Sequence, residues 1–322
     1  MGIDIVQAAS MSTSRRTALK GVGAASLAAL VAGRGLGLAA AQDATPSAGD
    51  YPTIAFSAKD YEFVGLPESV ESGFTRLSMT VDMGGHHAMF VKLNDGVTAD
   101  QFDAALQSPD LGPLLGISTS LGGPGSIDMG ETATVVIDLT PGQYMVICLI
   151  PDEETGMSHA AMGMVWPLEV KEGSSAAAEP TYQGEIDLAD FHFDGLPADL
   201  PAGDHVWKVS NVGEQLHELV VYKQAPGVPF SVVEGIFLAP PAASPEASSD
   251  TASEATPAGS PEAAGPPPFT GVTGVAPMNP GQVNYVETTL EAGDYFAICF
   301  IPDPATGAPH FALGMLMPFT VA

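Results

Sequence analysis

Alternation between apolar and polar side chains is the first pattern along this chain. Leu77-Ser78-Met79-Thr80-Val81 places an apolar residue at every second position, and Ala133-Thr134-Val135-Val136-Ile137-Asp138-Leu139 nearly does so. Side chains alternate across an extended backbone, so both runs predict strands with one buried face. Tyr144-Met145-Val146-Ile147-Cys148 is a third short run, aromatic and β-branched, and glycine or proline bounds all three. One segment has the other period. Over Thr98 to Leu106 the residues Phe102, Ala105 and Leu106 share a helical face, and Thr98 can cap a first turn that holds Asp100.

These patterns occur twice. Gly142-Gln143-Tyr144-Met145-Val146-Ile147-Cys148, then His159 and Gly163-Met164, is answered by Gly293-Asp294-Tyr295-Phe296-Ala297-Ile298-Cys299, His310 and Gly314-Met315. Both copies read G-x-Y-x-x-I-C-x10-H-x3-G-M without a gap. Upstream, Asp60-Tyr61-Glu62-Phe63-Val64-Gly65-Leu66-Pro67 answers Asp190-Phe191-His192-Phe193-Asp194-Gly195-Leu196-Pro197. A repeat of this length is a whole domain rather than a solenoid unit. The expected division is domain 1 over 51–172, a linker over 173–180 and domain 2 over 181–322. Many short strands separated by turn residues predict an all-β fold, a sandwich or barrel in each half with one short helix. Residues 240–268 are Pro, Ala, Ser, Glu, Thr and Gly with almost nothing to bury, the composition of a disordered insertion in the second domain.

The first 41 residues read as an address. Ser14-Arg15-Arg16-Thr17-Ala18-Leu19-Lys20, a weakly apolar run to Ala32 and the string Ala39-Ala40-Ala41 resemble a twin-arginine export signal, followed by a polar linker over 42–50. The apolar run is shorter than the roughly twenty residues a membrane helix needs, so the expected mature protein lacks a transmembrane segment and is periplasmic, cell-surface or extracellular. The formal net charge is −28, and the basic residues Arg15, Arg16, Lys20 and Arg34 all lie in the leader. The remaining surface repels phosphate backbones and anionic headgroups, which argues against nucleic acid and membrane surfaces. A basic protein is the partner that the charge favours.

Cysteine usage adds the chemistry. The chain has two cysteines, at the same position of the two copies, so they are equivalents rather than a disulfide pair. A thiolate, an imidazole and a thioether in that order are a soft donor set suited to a mononuclear copper site, which needs one more imidazole from an earlier strand. In the second copy that is His217. In the first it is His86 or His87: aligning Lys92 with Lys223 and Gly96 with Gly227 selects His86, whereas the upstream register selects His87. The closer landmarks favour His86.

The arrangement N-x-G-x3-H at Asn211 to His217, then the G-x-Y-x-x-I-C strand, the histidine and Gly-Met, resembles the cupredoxins, the blue or type 1 copper domains, over nearly all of both halves. The resemblance implies two tandem Greek-key β-sandwiches with a copper site under one end of each. Its ligands map onto His86, Cys148, His159 and Met164, and onto His217, Cys299, His310 and Met315. The ten residues between cysteine and histidine are more than small blue-copper proteins have. The function implied is electron transfer with a redox partner protein. The alternatives are a metal-free cupredoxin-like binding or structural module, and extracytoplasmic copper storage or delivery, which the nearby Met157 and Met162 would serve. An enzyme is not expected. Only His87, His192 and His205 remain outside the two sets, without an H-x-H pair, and no histidine adjoins either cysteine. The aspartates of the repeated Ile-Pro-Asp loop, Asp152 and Asp303, read as turn formers.

Overall fold

The computed structural model describes residues 49, 51–108, 111–173, 177–238 and 268–322. The export signal over 1–41, nearly all of the 42–50 linker, part of the 173–180 linker and essentially all of the 240–268 insertion lie outside the described residues. No helix among the described residues is long and apolar enough to cross a membrane.

The chain is all-β, in two halves that share most of one order of strands. The first half contains β1 (Thr53–Lys59), β2 (Glu62–Val64), β3 (Ser69–Glu71), β4 (Gly73–Val81), β5 (Gly85–His86), β6 (Met89–Leu93), α1 (Ala99–Leu106), α2 (Gly112–Ile117), β7 (Ser118–Ser120), β8 (Ile127–Asp128), β9 (Thr132–Leu139), β10 (Gly142–Ile147) and β11 (Val165–Lys171). The second contains β12 (Gly184–Ala189), β13 (His192–Asp194), β14 (Asp199–Leu200), β15 (Gly203–Asn211), β16 (His217–Gln224), α3 (Phe230–Phe237), β17 (Phe269–Met278), β18 (Val283–Leu290), β19 (Gly293–Ile298), α4 (His310–Leu313) and β20 (Leu316–Val321). The alternating run at Leu77 to Val81 is the end of β4, whose burial alternates as expected. Helix α1 begins where Thr98 predicts, and Gln101 completes a reciprocal cap by accepting from the Thr98 amide. Among the described residues each half has two short helices rather than one. Helix α2 is a Gly-Pro-Leu-Leu-Gly-Ile segment started by its proline, too brief to leave a periodic signal.

Each half has its own five-stranded sheet, ordered β3-β11-β10-β6-β7 in the first and β14-β20-β19-β16-β17 in the second. The facing sheet is shared: eight strands in the order β13-β12-β15-β18-β9-β4-β1-β2 run through both halves. The seam is the antiparallel pair β9–β18, in which Val135 lies opposite Val286. Those two valines stand at the same distance before Cys148 and Cys299, so the seam is a pseudo-two-fold axis through equivalent positions of the repeat. Pairing like edges in this way removes two exposed strand edges at once. Side-chain contacts reinforce it. Arg76 donates to both carboxylate oxygens of Glu287, at 2.7 and 3.0 Å, and its guanidinium lies over the Tyr51 ring. Asn284 reaches into the first half, accepting from the Gly123 amide at 2.9 Å and donating to the Leu121 carbonyl at 2.7 Å.

The strands that carry the cysteines are covered on both faces. On β10, Tyr144 and Val146 point with Cys148 into the core between the sheets, while Met145 and Ile147 join Phe102, Leu106 and Leu114 beneath the helices. On β19, Tyr295 and Ala297 take the core side with Cys299, and Phe296 and Ile298 pack against Val233 of α3. This two-sided burial is why both runs are apolar throughout rather than alternating.

Replacing Arg76 with alanine removes a bidentate, half-buried pair across the seam. We expect it to cost about 1–3 kcal/mol in urea unfolding, with Glu287→Ala giving a similar loss and the double variant less than their sum.

Candidate metal centres

Each cysteine directly follows the last, buried residue of its strand, Ile147 or Ile298; both are fully buried and unpaired. The ten residues that follow do not carry the histidine away. After Cys148 the chain folds back as a small hairpin in which Pro151 pairs with Ser158, the His159 amide donates to the Ile150 carbonyl at 2.9 Å and the Ala160 amide donates to the Cys148 carbonyl at 2.7 Å. The second copy repeats it with Pro302 and Pro309, His310 to Ile301 at 2.8 Å and Phe311 to Cys299 at 3.0 Å. Asp152 and Asp303 form the turns. Asp152 Oδ1 accepts from the Thr155 amide and hydroxyl at 2.8 and 2.7 Å, and Asp303 Oδ2 accepts from the same groups of Thr306 at 3.1 and 2.6 Å. The length of the loop is thus absorbed by an Asp-capped turn, and each histidine returns beside its cysteine.

The first histidine of each set comes from the opposite side. His86 lies on β5, opposite Ile127 of β8, and His217 begins β16. Between them the two loops bring together His86, Cys148 and His159 in one half and His217, Cys299 and His310 in the other, with all ligand atoms of each set within 4.8 Å of one another. In the first set, His86 Nδ1 and His159 Nδ1 are 3.1 Å apart, and Cys148 Sγ is 3.8 and 3.5 Å from them. In the second, the two Nδ1 atoms are 3.0 Å apart and Cys299 Sγ is 3.5 Å from His310 Nδ1. Two nitrogens at about 2.0 Å from one ion would stand about 3.1–3.5 Å apart for angles of about 100–120°, and a thiolate sulfur at about 2.3 Å would lie about 3.7 Å from each at about 120°. The observed spacings therefore leave room for an ion at the centre of each triangle. Met164 and Met315 are fully buried in the same core cluster as the cysteines, and their amides donate to the carbonyls of His159 and His310 at 2.9 and 3.0 Å.

His87, the other candidate in the first copy, faces away. Its Nε2 accepts from the Leu149 amide at 2.8 Å, and its Nδ1 lies 3.3 Å from the Ser126 hydroxyl. The equivalent residue in the second copy is Glu218, whose Oε1 accepts from the Phe300 amide at 2.9 Å. Imidazole and carboxylate thus do one job, holding the residue that follows the cysteine. Together with Leu149, Ile150, Phe300 and Ile301 they line a cleft of about 1340 Å³ between the halves. The remaining histidines lie elsewhere: His192 is exposed beside Asp194, and His205 Nε2 lies 2.8 Å from the Pro201 carbonyl. Met157 is exposed, and Met162 Sδ accepts from the Thr155 hydroxyl.

The electrostatics favour neutral donors. Burial holds His86 and His310 down to about 4, helped in each case by the facing imidazole, and burial pushes the Cys148 thiol up to about 12 and Cys299 likewise upward. The protonation states of the second centre can be read from its partners. His217 Nε2 lies 2.6 Å from Asp190 Oδ1, and burial of that carboxyl is outweighed by the Glu214 amide and His217, which hold it ionised below its ordinary range. The His217 proton therefore sits on Nε2. His310 Nε2 lies 3.1 Å from Gln215 Oε1, and the Gln215 amide is oriented by donating its Nε2–H to Asp303 at 3.1 Å. Both Nδ1 atoms then carry lone pairs, and they face each other at 3.0 Å. Two lone pairs so placed repel unless a cation lies between them. The buried donor set therefore fits a soft metal ion, and a thiolate with two imidazoles is the set that copper prefers.

Sequence reasoning passed over Asp190, Gln215, Tyr61, Phe191 and Glu218. Tyr61 and Phe191, matched by the repeat, each set an aromatic ring edge-on to the second histidine, at 5.1 Å from His159 and 5.0 Å from His310. The repeat match of Asp60-Tyr61 with Asp190-Phe191 was the available signal, but nothing local connects those residues to histidines far along the chain.

Comparison with solved structures finds several proteins of low similarity. Auracyanin from the photosynthetic bacterium Roseiflexus castenholzii aligns with 38% of this chain and 99% of its own at 19% identity, with a TM-score of 0.26. Auracyanin A of Chloroflexus aurantiacus, described as a "blue" copper protein, aligns with 37% of this chain and 98% of its own at 16% identity and a TM-score of 0.24. A copper nitrite reductase from Nitrosomonas europaea spans 85% of this chain and 94% of its own at 11% identity and a TM-score of 0.24. No family model and no curated protein matches the chain. At such scores the likenesses carry no weight about chemistry, which rests on the donors themselves.

Glu218 generates a prediction about pH. Burial raises its carboxyl from 4.5 to about 7, against the pull of the Phe300 amide. Between those values the folded protein keeps a proton that the unfolded chain releases, so this contribution is complete below about pH 4.5 and is lost as pH rises through 7. We expect metal-free Glu218→Gln to match the parent at pH 5 and to be more stable at pH 8, by up to about 3 kcal/mol, as read from denaturant midpoints.

Proposed function

We propose that this is an exported copper-binding electron-transfer protein with two type 1-like centres, one in each half. The observation that carries the reading is the twofold convergence of two imidazole Nδ1 atoms and a buried cysteine sulfur on one point, with the second centre's lone pairs turned inward. His86, Cys148 and His159, and His217, Cys299 and His310, would hold the ions, with Met164 and Met315 as the thioether donors. Copper supplies a one-electron couple, and a plane of two imidazoles and one thiolate accommodates both of its oxidation states with little rearrangement.

The protein's own contribution is to keep that plane fixed and dry. The hairpins anchored by Asp152 and Asp303 hold His159 and His310, while His87 and Glu218 tie down the amide that follows each cysteine. Burial excludes water as a competing ligand, so little reorganisation accompanies a change of charge. The three histidines outside the centres each meet a different partner, Leu149, Asp194 and Pro201, and none joins a ligand group among the described residues, which favours electron carriage over oxygen or nitrite chemistry. A basic redox protein is the partner that a net charge of −28 favours.

Loading with copper and recording metal content and the visible spectrum tests the reading. We expect about two coppers per chain and an intense thiolate-to-copper band, with Cys148→Ser or Cys299→Ser each removing about half of it and the double variant all of it. Copper bound without such a band, or a band that survives the double substitution, overturns the assignment.

A further inference from the structure

The two centres share a donor set but not its surroundings. In the second, His217 Nε2–H donates to the Asp190 carboxylate at 2.6 Å, and that carboxylate is itself fixed by the Glu214 amide at 3.0 Å. Gly213 permits the approach, because a Cβ there would come within 2.7 Å of His217 Nε2. His310 completes a second chain, through Gln215 to Asp303. Each imidazole of this centre is thus linked to a carboxylate, directly or through one amide.

The first centre has neither link. His86 Nε2 is buried with no carboxylate or amide side chain to receive it; the nearest acceptor is the neutral Met83 carbonyl, and Asp60 acts on it through charge alone. Asp60 matches Asp190 in the repeat, yet it acts on His86 only through space. Gln215 is answered in the repeat by Gly84, which has no side chain to offer. Asp152, the match of Asp303, is occupied by Tyr61, whose hydroxyl donates to it at 2.7 Å, and Tyr61 meets His159 only through its ring edge. The same aspartate position therefore joins the imidazole network in one half and bypasses it in the other.

A carboxylate that accepts the outer N–H of a ligand histidine fixes its tautomer and makes its inner nitrogen a stronger base, and losing such a partner typically costs 10–100-fold in metal affinity. The added negative charge favours the higher oxidation state of a bound ion. Resting on the copper reading above, we infer that the centres are built unequal: Asp190 and Gln215 lock both imidazoles of the second centre as Nε2–H tautomers, making it the tighter Cu(II) site and the one of lower potential. Asp190 is a positioning residue for His217 and Gln215 for His310. One duplicated domain thereby yields two potentials in a single chain.

The test is a spectroelectrochemical titration of the copper-loaded full chain, with Cys148→Ser and Cys299→Ser proteins assigning each transition to its centre. Two one-electron transitions are expected, the lower belonging to the centre that Cys148→Ser retains. Asp190→Asn, which keeps the size of the side chain and removes its charge, is expected to raise only the lower one. The rise is about 59 mV per tenfold loss of Cu(II) affinity, so about 59–118 mV for the 10–100-fold range. Gln215→Leu is expected to move the same transition upward by less. Coincident transitions in the parent, or a lower transition unmoved by Asp190→Asn, overturn the inference while leaving the copper sites standing. A chain that takes up no copper instead defeats the functional reading, and ¹⁵N shifts of the metal-free protein then decide the tautomer lock. Nε2–H at both His217 and His310 upholds it, and Nδ1–H at either overturns it.

Discussion

Everything at the working end of this molecule depends on holding three uncharged donors, two imidazoles and a thiol, against one another in a dry interior. Left alone that arrangement is unfavourable: the Nδ1 atoms of His217 and His310 face each other at 3.0 Å with lone pairs opposed, and burial denies charge to both histidines and cysteine. Such a cluster persists only because the scaffold over-determines it. The cysteines sit on strands packed on both faces, and the returning histidines are fixed by a two-stranded bridge and an Asp-capped turn. A cation at the centre converts the same repulsion into attraction, which is why the geometry speaks for a metal more strongly than any one residue does.

The fold serves this end by duplication with a join. Equivalent edge strands β9 and β18 pair about Val135 and Val286, so eight strands form one sheet and the Arg76–Glu287 pair clasps the seam. The two centres are therefore fixed relative to each other, and the residues following both cysteines line the same cleft between the halves. Duplication alone would give two identical sites. Divergence in the surrounding residues is what separates them: Gln215 against Gly84, Phe191 against Tyr61, Glu218 against His87.

Much of this was legible in the chain. The alternating runs marked β4 and β9, the continuous run marked β10, and Thr98 marked the start of α1. Strand periodicity and helix capping are local properties, so they survive without knowledge of the fold. Helix α2 escaped notice because six residues opened by a proline carry no period. The number of residues between cysteine and histidine looked like an obstacle in one dimension. In three it is a hairpin, because Asp152 and Asp303 each turn the chain back through hydrogen bonds that a spacing cannot reveal.

The order of the donors, their chemical types and their repetition are properties of the chain as written, and they suffice to define two equivalent halves and a soft ligand set in each. The choice between His86 and His87 was not among them. Adjacent residues of an extended strand point to opposite faces, so a shift of one in register exchanges the residue in the centre with the one that anchors Leu149. Nor could the chain alone disclose that Asp190 reaches His217 while Asp60 fails to bond His86. Whether two matched aspartates touch their histidines depends on how closely a turn packs against a loop far away in sequence, and only the tertiary structure sets that.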